Sequence, residues 1–215
     1  MRRWRRLMGM KQILVMMVAV VLVGCSNETP ETSQAAEAEA QVTPEPSPAS
    51  VPVPPAHEKL IADPIVEKAV RKELEKSEGE LTEADLAKVT SLNLMFTQIT
   101  DAGLKEVAKL QELEQLWLAF TQITDAGLKD VAKLQKLKKL WLTDTEITDA
   151  GLKDVAKLQK LTWLDLHKTK ITDGGLKEVA KLQKLNRFSL IGTKTTDAGV
   201  AELKKALPNC IITGP

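Results

Sequence analysis

Leucine sets the rhythm of this chain. Leu92 and Leu94 return as Leu116 and Leu118, Leu140 and Leu142, Leu164 and Leu166, and then as Phe188 and Leu190, each 24 residues after the last and without gaps. The unit 113–136 shows what each position is for. Leu113, Leu116 and Leu118 have the spacing of a short strand whose leucines face one side. Ile123 is the next inward residue, and Thr124 is placed to cap a helix that starts at Asp125, where a carboxylate meets the positive helix end. Leu128, Val131, Ala132 and Leu134 form the buried stripe of that helix, and Lys129, Asp130, Lys133 and Gln135 its solvated face. A short fixed period means stacked units sharing one continuous core, which favours a recognition surface over an enclosed catalytic pocket.

The pattern before the repeats is different. Asp63-Pro64 predicts a helix start, with an acceptor at the cap and proline at the first helical position. Ile65, Val66, Ala69, Val70 and Leu74 follow at helical spacing, and Ser77-Glu78-Gly79-Glu80 is expected to end the helix. A second short helix starts at Thr82, which pairs with Asp85 in a near capping box, while Leu81 and Leu86 are placed as a hydrophobic staple. Residues 58–88 therefore read as an N-terminal helical cap covering the apolar edge that a first repeat would otherwise expose.

The spacing L-x-x-L-x-L, followed each time by T-x-I-T-D-x-G-L-K or a near copy, resembles the leucine-rich repeat family, and most closely its bacterial, helix-containing, ribonuclease-inhibitor-like form. Five aligned copies carry the resemblance, which covers about residues 63–215. It implies an α/β fold: a right-handed leucine-rich repeat solenoid over 89–215, with short parallel strands on the concave face and helices on the convex face. Where the family usually has Asn or Cys after the strand, this chain has Thr97, Thr121, Thr145, Thr169 and Thr193. By analogy with the family's asparagine, these threonines are expected to hydrogen-bond the turns of adjacent units. Thr195 replaces the inward isoleucine, so the last unit should be looser, and Ile212, one period after Phe188, should form a last partial strand.

The N-terminal quarter does not read as globular. Arg2, Arg3, Arg5, Arg6 and Lys11 precede an unbroken apolar run from Ile13 to Val23. That run is too short for a bilayer core of ~30 Å, which needs ~20 helical residues, and it suits a secretory signal peptide over residues 1–24, starting at Met1 or Met10. Its end, Leu22-Val23-Gly24-Cys25, resembles a bacterial lipobox. The resemblance implies cleavage before Cys25, lipidation of that cysteine and attachment to a membrane of the cell envelope. Ser26 after the cysteine favours the outer membrane in a diderm bacterium. The alternative is a soluble exported protein in which Cys25 is a bystander thiol. Residues 25–57 are a linker rich in Ala, Glu and Pro, with too few large apolar groups to offset the entropy of ordering. Its prolines favour extended conformations, giving a reach of roughly 100 Å at ~3.1 Å per residue.

Charge and chemistry narrow the function. The formal net charge is +1, and the basic signal segment is balanced by a linker with five glutamates and no Lys or Arg. There is no basic domain, so nucleic acid is a poor partner. His57 and His167 have no companion ligands, so no metal site is read, and no cofactor motif is present. The column Asp101, Asp125, Asp149, Asp173 and Asp197 falls at helix starts, where capping accounts for it and paired-carboxylate catalysis does not. Cys210 should pack in the terminal strand. No enzyme is expected.

The informative positions are those flanking the strand leucines, which vary while the helical faces repeat. Trp117, Trp141 and Trp163 all fall there, with Gln115, Lys139, Asp165, His167 and Arg187 around them and Phe96 and Phe120 near the rim. Clustered exposed aromatics on a rigid surface are candidate hot spots. The leading expectation is a membrane-anchored, non-catalytic module that binds a protein partner through these eight residues. A glycan- or peptidoglycan-binding lipoprotein, whose aromatics stack on sugar rings, and a structural envelope spacer are the alternatives. A further bland alternative is that the tryptophans merely stack on one another and shield the strand backbone.

Overall fold

The computed structural model describes residues 59–215. The expected signal peptide, the lipidation site Cys25, the linker with His57, and Glu58 lie outside the described residues. Two cap helices come first, α1 (Pro64–Glu73) and α2 (Glu83–Leu86). Strands and helices then alternate: β1 (Ser91–Asn93), α3 (Asp101–Val107), β2 (Gln115–Trp117), α4 (Asp125–Val131), β3 (Lys139–Trp141) and α5 (Asp149–Val155). The series continues with β4 (Trp163–Asp165), α6 (Asp173–Val179), β5 (Arg187–Ser189), α7 (Asp197–Ala206) and β6 (Ile211–Thr213).

The strands form one parallel sheet in the order β1 to β6. Every pairing is offset by one period: Leu92 opposite Leu116, Leu116 opposite Leu140, Leu140 opposite Leu164, Leu164 opposite Phe188, and Phe188 opposite Ile212. Parallel neighbours require a crossover, and each repeat supplies one helix, packed on the helices before and after it. The central residue of β1 to β5, four leucines and Phe188, is buried, as are Ile99, Ile123, Ile147 and Ile171 on the return path, while Ile212 in β6 is half-buried. Each such side chain contributes roughly 1.5–3 kcal/mol on burial. The sheet is open at both ends, which makes the architecture an α/β leucine-rich repeat solenoid.

The cap is built from local bonds. Asp63 accepts the amides of Ile65 (2.8 Å) and Val66 (3.0 Å), and Val66 and Val70 face the core. Helix α1 ends at Glu73, earlier than the Ser77–Glu80 stop read from the sequence. Glu75 turns into the left-handed region at φ 51, so that the Glu75 amide bonds to the Lys72 carbonyl (3.3 Å) and the Lys76 amide to the Arg71 carbonyl (2.9 Å). That pair of bonds terminates a helix without glycine. In α2 the reciprocal box between Thr82 and Asp85 is present, with Leu81 and Leu86 both buried. The chain before α1 is fastened to the first repeat helix, where the Ala62 amide donates to Glu106 (2.9 Å) and Lys109 to the Leu60 carbonyl (2.8 Å).

The threonine column works differently from the expectation. Thr121, Thr145 and Thr169 are buried, but each hydroxyl donates to the carbonyl three residues back in its own unit, at 2.6–2.7 Å. Thr97 and Thr193 do the same from half-buried positions. At this position the hydroxyl is committed to the carbonyl of its own unit, so it closes its own turn.

The bond between units comes from the aspartates. Asp101 accepts both the amide (2.8 Å) and the hydroxyl (2.6 Å) of Thr124 in the following unit. Asp125 holds Thr148, Asp149 holds Thr172 and Asp173 holds Thr196 in the same way. Each threonine in turn accepts an amide at its own helix start, so capping and stacking share one residue pair. In the last unit Thr195 is buried and its hydroxyl meets that of Thr193 at 2.9 Å, which fills the place of the missing isoleucine with a satisfied polar pair.

Candidate functional site

The sheet has one face against the helices and one face free of them. On β1 to β5 the central residue is buried and its two neighbours point to the free face, half-buried or exposed. Because the strands are parallel and offset by one period, equal positions in successive repeats become lateral neighbours at the strand spacing of ~4.8 Å. That geometry decides how the aromatic residues meet.

Trp117 and Trp141 are register partners. Their rings stack at 4.6 Å between centroids with 9° between planes. Trp163 belongs to the column one step back, where its partners are Lys139 and Arg187. It therefore approaches Trp141 diagonally, at 5.9 Å and 37°. Arg187 completes the row, its guanidinium carbon 5.2 Å from the Trp163 ring centre. The three tryptophans and the arginine thus form one continuous array across β2 to β5.

The polar residues divide into two kinds. Asp165, opposite Trp141, accepts the backbone amide of His167 at 2.9 Å, so one oxygen is committed to the turn after β4. Asn93 treats the Met95 amide in the same way at 3.0 Å. By contrast, the half-buried Gln115, Lys139 and His167 make no side-chain hydrogen bond among the described residues. They carry donors available to a partner. The structure thus brings Gln115, Lys139, Asp165, His167 and Arg187 onto one face with the tryptophans.

A second aromatic pair lies beyond the strand ends. Phe96 and Phe120 stack at 4.6 Å and 7°, and are 70% and 40% exposed. Both lie in the left-handed region, at φ 59 and 58, and Asp144 and Lys168 share the position at φ 53 and 55. Only the fifth unit has glycine there, Gly192 at φ 72. A bulky side chain in this region costs roughly 1–2 kcal/mol. The ladder holds it in place, since the amides of Phe96 and Phe120 bond to Ala119 (3.1 Å) and Thr143 (2.8 Å) of the next strand. Reading the sequence located the two phenylalanines near the rim but not their strained backbone. Gly192 is the single residue that signals it.

The repeated aspartates and the cysteine have structural work. The aspartates from Asp101 to Asp173 are engaged between repeats, and the two bonds from Thr196, amide first, hold the Asp173 carboxyl below its usual range. Burial pushes the lone Cys210 thiol up to about 11. No group of acidic, histidine or cysteine side chains among the described residues is arranged to hold a metal ion, and no described helix is long and apolar enough to cross a membrane.

A family model matches part of the repeat region. The Leucine Rich repeat family model matches residues 86–108, 133–156 and 157–180. No curated protein matches the chain. Among solved structures it is similar to internalin C2 of Listeria monocytogenes, at 24% identity over 71% of this chain and 83% of that one, with a TM-score of 0.45. A leucine-rich repeat protein of Leptospira interrogans is 26% identical over 60% of this chain and 38% of its own, with a TM-score of 0.45. Internalin F of Listeria monocytogenes is 18% identical over 72% and 56%, with a TM-score of 0.43. The chain spans less than two thirds of the last two. The three matched segments and the one-period strand register agree in an α/β solenoid of leucine-rich repeats.

Proposed function

We propose that this chain is a non-catalytic protein-binding module, held at a cell-envelope membrane through a lipidated Cys25. In a diderm cell that membrane is the outer one. The array Trp117–Trp141–Trp163–Arg187 is the observation that carries the reading. Large, rigid amphipathic side chains and arginine dominate the energetics of protein interfaces. Gln115, Lys139, Asp165 and His167 supply the polar specificity around them.

The stacking geometry weighs against the glycan alternative. A pyranose binds by lying on an open ring face. Between Trp117 and Trp141 the facing rings are 4.6 Å apart, which leaves no room for a sugar, and Arg187 covers Trp163. What the array offers is a row of ring edges, suited to apolar side chains.

The test is in-cell crosslinking from a photoreactive phenylalanine analogue at position 141. A discrete protein adduct that disappears when Trp117 and Trp163 are replaced by alanine is the expected result. Purified, that partner should bind the W117A/W163A chain at least about 30-fold more weakly, the loss of one hot spot of ~2 kcal/mol. A polysaccharide adduct, or none, would overturn the reading. The anchor is tested separately by incorporation of a labelled fatty acid, which C25S should abolish.

A further inference from the structure

A second surface lies at the other end of the molecule from Arg187, where α1 meets the turn after β1. The two elements enclose an open groove of about 700 Å³. Ile65, Ala69, Met95 and Phe96 give it an apolar lining, and Lys68 and Lys72 stand at its rim. No acidic residue lines it. We infer that this groove, with the adjoining Phe96–Phe120 pair, is a docking site for an extended acidic peptide of a partner protein, with an apolar side chain seated between α1 and Phe96.

Three independent features point to that occupant. The first is charge. Lys68 and Lys72 are exposed, one helical turn apart, and have no ion-pair partner among the described residues. On the same helix Arg71 is paired with Glu67 at 2.9 Å, and many lysines of the repeats pair with a carboxylate three residues or one period away. The rim is thus an uncompensated positive pair facing an apolar floor, which carboxylates would complement.

The second is strain. Phe96 is held at φ 59 with 70% of its surface in water, and the chain itself gains little burial from it. The turn works with glycine in the fifth unit, so the fold does not require phenylalanine here. Strained, exposed side chains of this kind concentrate at ligand clamps.

The third is extent. The apolar strip continues from the groove over Phe96 to Phe120, which lies outside the groove. A small amphiphile would fill the groove and leave the stacked pair wet, whereas a peptide covers both. The inference is independent of the tryptophan array.

The probe is a phage-displayed library of random 12-residue peptides, selected on the intact protein. Enriched peptides should combine an aromatic or large aliphatic residue with at least two neighbouring carboxylates. A synthetic copy of the leading peptide should bind at least tenfold more weakly to K68E/K72E and to F96G, and equally well to W141A. Glycine at position 96 relieves the backbone while removing the ring, so loss of folding does not explain a loss of binding. No enrichment, enrichment without acidic bias, or affinity unchanged in the groove variants would overturn the site. Loss in W141A would move the peptide to the tryptophan array. Tight binding of dodecanoate with no peptide enriched would replace the peptide by a small amphiphile.

Discussion

Cys210 sits one residue before the last strand with its thiol buried and raised to about 11. The thiolate is the reactive form, so at pH 8 almost none is present. In a C25S chain, a disulfide reagent such as dithionitrobenzoate should label Cys210 slowly in buffer and fast in urea. Rapid labelling of the native protein would show the terminal strand to be open. Residue by residue, much of this was legible beforehand: the buried cysteine, the cap at Asp63 and the Thr82–Asp85 box follow from side-chain chemistry at known positions. The hydroxyl of Thr145 was not, because the analogy with the family's asparagine pointed to the adjacent unit, whereas the hydroxyl donates to the Leu142 carbonyl of its own. Nor was the left-handed turn at Phe96, since the ladder bonds that impose it come from a residue 23 positions away.

Within the repeat helices, two adjacent glycines of α6 have opposite roles. A methyl group on Gly175 would lie 2.5 Å from Asp149 Oδ1, in the middle of the bond to Thr172. On Gly174 it would meet nothing closer than 3.1 Å, and the other units have Ala102, Ala126, Ala150 and Ala198 there. Urea titration should show G175A destabilised by about 1–3 kcal/mol and G174A stabilised by about 0.5 kcal/mol. From α4 onward the repeated glycine of the D-x-G motif is therefore a packing requirement set by the preceding unit's aspartate. A single unit read alone does not show this. The same clamp predicts acid sensitivity. The bonds from Thr196 lower the Asp173 carboxyl in the fold relative to its ordinary value of 3.8. Its contribution is therefore present above that value and lost as pH falls towards the folded one. The melting-temperature gap between the native chain and D173N should be widest at neutral pH and narrow steadily below pH 4. A constant gap would mean that the charge is not what Thr196 recognises.

Among the described residues each repeat packs on the units beside it, the arrangement of a one-dimensional chain of units. Asp149 clamps the next repeat, while Asp197, at the same place in the last one, has no such threonine among the described residues. D149N should therefore lower stability by ~1–3 kcal/mol, the range for a charged hydrogen-bonded group. D197N should lose only a helix-end interaction of about 0.3–1 kcal/mol. Equal losses by calorimetry would place the effect in the helix dipole and not in stacking. The solenoid itself was legible from the 24-residue period, and so was the gathering of the three tryptophans, because parallel register turns sequence period into lateral contact. Ring orientation was not, since the offset of Trp163 into the other column sets the tilt.

The left-handed position after each strand also makes the molecule a ruler. Phe96, Phe120, Asp144, Lys168 and Gly192 share one backbone geometry, and the stacked pairs in both aromatic rows repeat at the same 4.6 Å. Side chains are thus mounted on a grid whose pitch is the strand spacing, whatever their identity. Duplicating a 24-residue unit between the groove and Arg187 would separate the two ends by about one strand spacing of ~4.8 Å and leave each unit's internal bonds intact. Reach can then change in quantised steps while the local chemistry at each end stays the same.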